Sequence, residues 1–451
     1  MEHQKALFIF RRDLRLDDNT GLFFALSKAK SVIPAFIFTP EQIGRNPYRS
    51  SRCLQFMIES LEDLEKQLQK KGGRLCLFYG KPAVIVSKCI QQLKVDAVAL
   101  NRDYTPYSIA RDKAIEAVCK KLGVSFYSFD DALLHPPEET LKADGKPYAL
   151  FTPYFRSASK LEVAKPLPCR KRNFSKEKIR FAKDKKFYDK ILPARVKQSP
   201  GGRSAALKLL KDSYAKYAKQ RDIPALNATT HLSSHLKFTT ISPREAYWAF
   251  AKNKELVRSL YWRDFFTSVA TFFPNVFGHA FQKKFDRISW GYDRRRFRLW
   301  CEGKTGFPIV DAGMRELNET GYMHNRVRMI VASFLVKDLH IDWRWGEKYF
   351  ARALIDYDPA VNNGNWQWSA STGCDAQPYF RIFNPWAQQA KFDPDCTYIK
   401  RWIPELEPIS IDEILSEEGD RGTKYPKPIV NHANEAKKAL TAYKKASLRR
   451  A

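Results

Sequence analysis

Through its first 130 residues the chain alternates short apolar runs with amphipathic segments, and beyond that point the alternation stops. Runs 6–10, 32–38, 74–79, 97–100 and 124–129 read as buried strands. Segments 19–30, 50–71, 83–93 and 108–122 between them read as helices. Gly72-Gly73 and Gly123 sit where helix C-caps belong. Such alternation implies an α/β architecture with a doubly wound, parallel, Rossmann-like sheet. The standard dinucleotide fingerprint is missing, because 11-RRDLRLDDN-19 rather than GxGxxG follows the first strand.

At 451 residues the chain is too long for one hydrophobic core, so two or more domains are expected. The boundaries read as an α/β domain over 1–130, a connector over 131–200 and a mainly helical domain over 201–451. Proline and basic residues accumulate in the connector, as in 165-KPLPCRKRNFSKEKIRFAKDKK-186, which reads as a solvated, partly irregular linker. All ten tryptophans fall in the helical part, from Trp248 to Trp402.

Lysine and arginine number 78 against 49 acidic residues, a net charge of +29. That excess favours a polyanionic partner, nucleic acid before an acidic membrane, with simple solubility as the plainer reading. The eight cysteines include no CxxC pair and read as reduced packing thiols, so no metal site is expected. No apolar run is long enough to cross a bilayer, and Met1-Glu2-His3-Gln4-Lys5 lacks a signal pattern. An intracellular protein is expected, in the cytoplasm or, in a eukaryote, the nucleus.

Three stretches carry chemistry. In 217-YAKQRDIPALNATTHLSSHLKFTTISPRE-245, Thr229, Thr230 and Ser233 precede a helical segment; hydroxyls there can hold a phosphate or merely cap the helix. Asn325, Arg326, Arg328 and Met329 fall on one helix and can face a flavin or nucleotide, while Met329 can equally fill a core. Asp356 and Asp358 match no metal-ligand spacing. The third stretch, 362-NNGNWQWSASTGCDAQPYFRIFNP-385, sets Trp366 and Trp368 among amides and hydroxyls, a mixture that suits a flat, polar ligand.

Longer runs carry a resemblance. The segments 7-LFIFRRDLRLDDNTGL-22, 261-YWRDFF-266, 303-GKTGFPIVDAGMREL-317, 323-MHNRVRMIVASFLVKDLHIDWRWGEKYF-350 and 361-VNNGNWQWSASTGCDAQPYFRIFNP-385 resemble the photolyase/cryptochrome family, closest to class I cyclobutane pyrimidine dimer photolyases. The resemblance spans nearly the whole chain. It implies an α/β antenna domain joined to an all-helical domain that binds FAD, and a light-driven lyase acting on DNA that contains UV-induced pyrimidine dimers, most simply as a monomer. FAD contacts carried over from the family are Tyr217, Thr229, Thr230, Leu232, Ser233, Arg328, Asp356, Asp358 and Asn362, the last facing flavin N5. Trp366, Trp343 and Trp290 match the electron-transfer chain. Trp262 and Trp368 match residues that stack on the extruded dimer, and Asn325 and Met329 lie beside its bases. Arg221, Arg263, Arg326 and Arg381 match positions near phosphates or the cavity rim.

The pattern breaks in places. Ser259 stands where dimer photolyases carry a Glu that bonds the dimer's bases. Serine is short and neutral, and cannot replace that charge. Glu255 lies one turn earlier. His231 replaces a usual Arg, and Ile109 occupies the Glu position of folate-binding members, so the antenna chromophore is read as a folate, a deazaflavin, a flavin or none. Ser259 opens a second reading, a cryptochrome-type blue-light photoreceptor. Asn362 opposes it, since plant-type cryptochromes carry Asp there and animal-type ones Cys. A third is a light-independent nucleic-acid-binding flavoprotein.

Overall fold

The computed structural model describes residues 2–448 apart from 45, 213 and 423. The chain forms two compact units, one of residues 1–213 and 230–274, the other of 214–229 and 275–451.

The first unit is built on five parallel strands: β1 (His3–Phe10), β2 (Ala29–Phe38), β3 (Cys76–Tyr79), β4 (Ala97–Asn101) and β5 (Ser125–Phe129), in the order β3-β2-β1-β4-β5. Helices α1 (Thr20–Lys28), α2 (Pro40–Ile43), α3 (Ser51–Lys70), α4 (Pro82–Leu93) and α5 (Pro106–Lys121) connect them. The expected strands and helices are all present, within a few residues; the short α2 was not expected. Local chemistry sets the helix ends. Asn19 and Ser50 cap α1 and α3 through the N–H groups of Leu22 and Cys53. Gly72 and Gly123 take positive φ (76° and 66°) after α3 and α5, as C-cap glycines do.

The order of strands reverses between β1 and β4, the switch point where open α/β sheets take ligands. Asn101 at the end of β4 donates to Asp13 at 2.6 Å and to Asn19 at 2.8 Å, tying the β1 loop across the switch. Gly21 must be glycine there: its N–H meets Asn101 at 2.9 Å, and a Cβ would stand 2.7 Å from the same oxygen.

β3 is short and pairs only with residues 35–38 of β2, leaving the start of β2 open. The basic stretch covers that edge. Val32 donates to the Asn173 carbonyl at 2.9 Å and accepts from Ser175 at 2.7 Å, and Lys183 donates to the Leu77 carbonyl at 2.7 Å. An open edge is thereby satisfied rather than left to recruit a foreign strand. Ion pairs anchor the later residues of this unit: the fully buried Arg15–Asp131 at 2.7 Å, and the partly buried Arg244–Asp131 at 3.0 Å and Arg203–Glu245 at 2.7 Å.

The second unit is helical. Its core is dominated by Pro308–Thr320, Asn325–Ser333, Trp343–Ala353 and Pro359–Ser369, with Trp300, Trp343 and Trp366 buried among aliphatic side chains. Gly313 allows two of these helices to close up, since a Cβ there would stand 2.3 Å from Val327. The C-terminal basic run is a helix, His432–Leu448, and residues 449–451 lie outside the described ones. Among the described residues, no helix is long and apolar enough to cross a membrane.

Candidate functional site

Two helices of the second unit present the polar residues. Asn325–Ser333 starts at His324, whose Nδ1 accepts from the Arg326 N–H at 3.2 Å. Val327, Ile330 and Val331 bury one face, Asn325 is exposed, and Arg326, Arg328 and Met329 are half-buried. The helix runs on into a π turn, Phe334–Asp338, an irregularity frequent near functional sites. Pro359–Ser369 starts at Asp358, whose carboxylate accepts from Ala360 and Val361 at 3.1 and 3.3 Å, with Pro359 in the first turn. The polar run of 362–385 is therefore helical as far as Ser369. Its buried residues are Asn362, Asn363, Trp366 and Gln367, while Trp368 is half-buried. Residues two apart do not share a helix face, so the two tryptophans serve different surroundings.

Around these helices the structure brings several expected residues together. Arg328 pairs with Asp356 at 2.9 Å and lies 5.6 Å from the centre of the Tyr322 ring. The Tyr322 hydroxyl is 3.2 Å from that of Thr229. Thr229, Arg328 and Asp356 thus form one polar string through Tyr322. The Arg221 guanidinium lies 5.8 Å from the ring of Tyr217. Arg326 pairs with Asp222 at 3.0 Å and sits 4.4 Å from the Phe392 ring. The Asn325 amide is 4.0 Å from the Met329 sulfur, one turn on. Arg381 is exposed.

Asn362 is oriented by Glu347. Its Nδ2 donates to the Glu347 carbonyl at 3.1 Å, and its Oδ1 accepts no hydrogen bond among the described residues. The Glu347 carboxylate accepts from Asn363 at 3.0 Å, and burial pushes its pKa up to about 7. The site therefore offers a guanidinium–carboxylate pair, hydroxyls and an amide with an open acceptor. That donor set fits FAD, which carries polar groups along its chain and an N–H-bearing ring.

Trp343 and Trp366 are buried in one core, and Trp290 packs half-buried against it. Trp366 rests on Gly346, where a Cβ would stand 2.1 Å from the indole, and lies 5.0 Å from Phe350 and 6.2 Å from Trp300. The Arg344 guanidinium is 4.8 Å from the Trp343 ring. Trp290 meets Tyr443 edge-on at 6.2 Å.

In the first unit, Trp262 lies on the Lys254–Phe272 helix and stacks on Phe151 at 3.7 Å, with 7° between the planes. That contact fixes the plane of a half-buried indole. Ser259 is exposed, and its hydroxyl donates to the Glu255 carbonyl at 2.9 Å, so its one proton is committed to the helix backbone. Arg263 bonds Asp264 and the Leu236 carbonyl at 3.2 and 3.3 Å. Burial pushes the Asp264 pKa up to about 7. Thr230, Leu232 and Ser233 flank a five-residue helix, Ser233–Lys237, whose start carries no side-chain cap bond; Leu232 is buried and Ser233 exposed. His231 holds a positive φ of 51°, and burial lowers its pKa.

Sequence reasoning missed Tyr322, Glu347 and Phe151. Glu347 was detectable as the lone acid amid the aromatics of 343-WRWGEKYF-350, and Phe151 as an apolar cluster inside a supposed linker. Tyr322 had no signal of its own.

Comparison with known proteins points to one family. Residues 6–171 match the family model described as DNA photolyase, and residues 256–445 the one described as FAD binding domain of DNA photolyase. A deoxyribodipyrimidine photo-lyase of Synechococcus is 36% identical, over 97% of this chain and 96% of its own. An archaeal photolyase from Sulfolobus tokodaii, solved with two FAD molecules, is 45% identical with a TM-score of 0.92, covering 98% of this chain and 100% of its own. A Synechocystis cryptochrome is 28% identical with a TM-score of 0.88, again over 98% and 100%. Similarity of this extent places the chain, end to end, in the DNA photolyase family.

Proposed function

We propose that this protein repairs DNA under light by splitting cyclobutane pyrimidine dimers. The observation that carries the reading is the near end-to-end similarity to deoxyribodipyrimidine photo-lyases. FAD, once bound, reduced and lit, supplies the electron that opens the dimer. The chain's own residues do the rest. Arg328, Asp356, Asp358, Thr229 and Tyr217 would hold the cofactor, and the open Oδ1 of Asn362 would be available to accept from an N–H of its ring. Trp366 would be the residue that gives up an electron in photoreduction, with Trp343 and then Trp290 refilling it. Trp262 offers a plane held by Phe151 for an extruded base, and Trp368, Asn325 and Met329 offer further base contacts. Arg221, Arg326 and Arg381 meet phosphates, a role that positions the strand without reading its sequence. The excess of basic residues draws the DNA in and makes binding salt-sensitive.

The test is repair itself: anaerobically reduced holoenzyme, a thymine-dimer oligonucleotide and blue light. Light-dependent recovery of thymine absorbance is expected. No recovery from a protein whose flavin is photoreducible would favour a photoreceptor, the reading that Ser259 supports and that a cryptochrome among the structural neighbours accompanies.

For the antenna, a flavin is the reading to prefer. Ile109 removes the folate carboxylate partner, and the Sulfolobus tokodaii relative holds two FAD molecules. Two flavins released per chain support this; one refutes it.

A further inference from the structure

A cavity of about 440 Å³ opens at Ser289, the chain neighbour of Trp290, and is lined by none of the residues assigned above. Arg287 and Ser289 form one wall, and Lys437, Lys438, Thr441 and Lys445 of the His432–Leu448 helix form the other. Four cations and two hydroxyls converge on a space the size of a nucleotide. Lys438 pairs with Glu435 at 2.9 Å, Glu435 also meets His340 at 2.7 Å, and the Thr441 hydroxyl donates to the Lys437 carbonyl at 3.0 Å, leaving its lone pairs toward the cavity. Ala446 lines the cavity and belongs, with Ile288 and Tyr443, to the small apolar cluster on which Trp290 packs. Tyr443, on the same helix as the lysines, touches the Trp290 ring.

We propose that this cavity docks the reductant that resets the electron chain, and that the reductant bears phosphate, as a reduced nicotinamide or flavin nucleotide does. Ammonium groups and the Ser289 hydroxyl suit phosphate oxygens, and a field of one sign raises the local concentration of an anion. The step balances as one electron. One electron leaves the bound reductant and fills the vacancy in the Trp290 indole; the donor radical cation that remains sheds a proton to water and departs as the neutral radical, which keeps the second electron. This rests on the reading of Trp290 as the outer end of the chain.

The test uses oxidised holoenzyme under blue light, with NADPH as the anionic donor and dithiothreitol as the neutral one. Recovery of oxidised Trp290, followed by transient absorption, should saturate with NADPH and rise linearly with dithiothreitol. K437E/K445E, two exposed positions, should raise the NADPH half-saturation roughly tenfold or more and leave the dithiothreitol rate alone. Equilibrium dialysis of NADPH in the dark should show binding to the wild type that the double variant loses and that inorganic pyrophosphate displaces. A linear NADPH dependence, or equal behaviour of wild type and variant, overturns the docking site while leaving the chain intact. If Trp290→Phe photoreduces at the wild-type rate with dithiothreitol, the chain and the docking site fall together.

Discussion

Glu347→Gln is the sharpest test of the buried network behind Asn362. The Glu347 carboxyl is 7% exposed, and burial pushes its pKa from 4.5 to about 7. Between those values the folded protein holds a proton that the unfolded chain has released. The folded state therefore binds more protons, and stability falls as pH rises through this window. The full difference is worth about 3 kcal/mol above pH 7. Glutamine keeps the shape, and its Oε1 can still accept from Asn363, but it adds an N–H without an acceptor, at a cost of about 1 kcal/mol. The variant should be about as stable as the wild type near pH 5, where the unfolded chain has already released most of this proton, and more stable at pH 8 by about 2 kcal/mol. At about 2–4 °C per kcal/mol for a unit of this size, the difference in Tm should swing by about 5–10 °C between the two pH values. Thermal unfolding of both holoenzymes at pH 5 and pH 8 measures this directly. FAD content should not change, because Asn362 is held by the Glu347 backbone carbonyl and not by the carboxyl. A difference in Tm that stays constant with pH would refute the buried, proton-holding state of Glu347.

Three further perturbations probe the aromatic residues. Gly346→Ala would set a Cβ 2.1 Å from the Trp366 indole, so the ring must move; a loss of about 1–3 kcal/mol is expected from denaturant unfolding, with slower photoreduction. Trp290→Phe should slow photoreduction of the oxidised protein yet spare repair by chemically reduced enzyme, and an unchanged rate removes Trp290 from the chain. Trp262→Ala should weaken binding to dimer-containing DNA by about 1–3 kcal/mol in a titration and preserve flavin absorbance; loss of flavin would show that the Phe151–Trp262 stack is structural.

Element boundaries in the first unit were legible because its strands are short apolar runs punctuated by capping residues. Asn19, Ser50, Gly72 and Gly123 act locally, through their own neighbours' N–H and C=O groups. The long flavin-type motifs were legible for a similar reason: they sit on single helices, where spacing alone puts Asn362 and Trp366 on the same face. Other features depended on residues far apart in the chain. No local signal announces that Tyr322 links Thr229 to Arg328, that Phe151 fixes the plane of Trp262, or that Glu347 orients Asn362. Nor does the composition of the basic stretch say that it satisfies the open edge of β2. The sequence by itself determined the elements, their caps and the residue types of the site. Tertiary structure decided which charges are spent in pairs, which proton is held by burial, and which lysines face Arg287 across a cavity. Hydrogen bonding within a helix or turn needs only adjacent residues, whereas desolvation and ion pairing depend on every element that packs against a group.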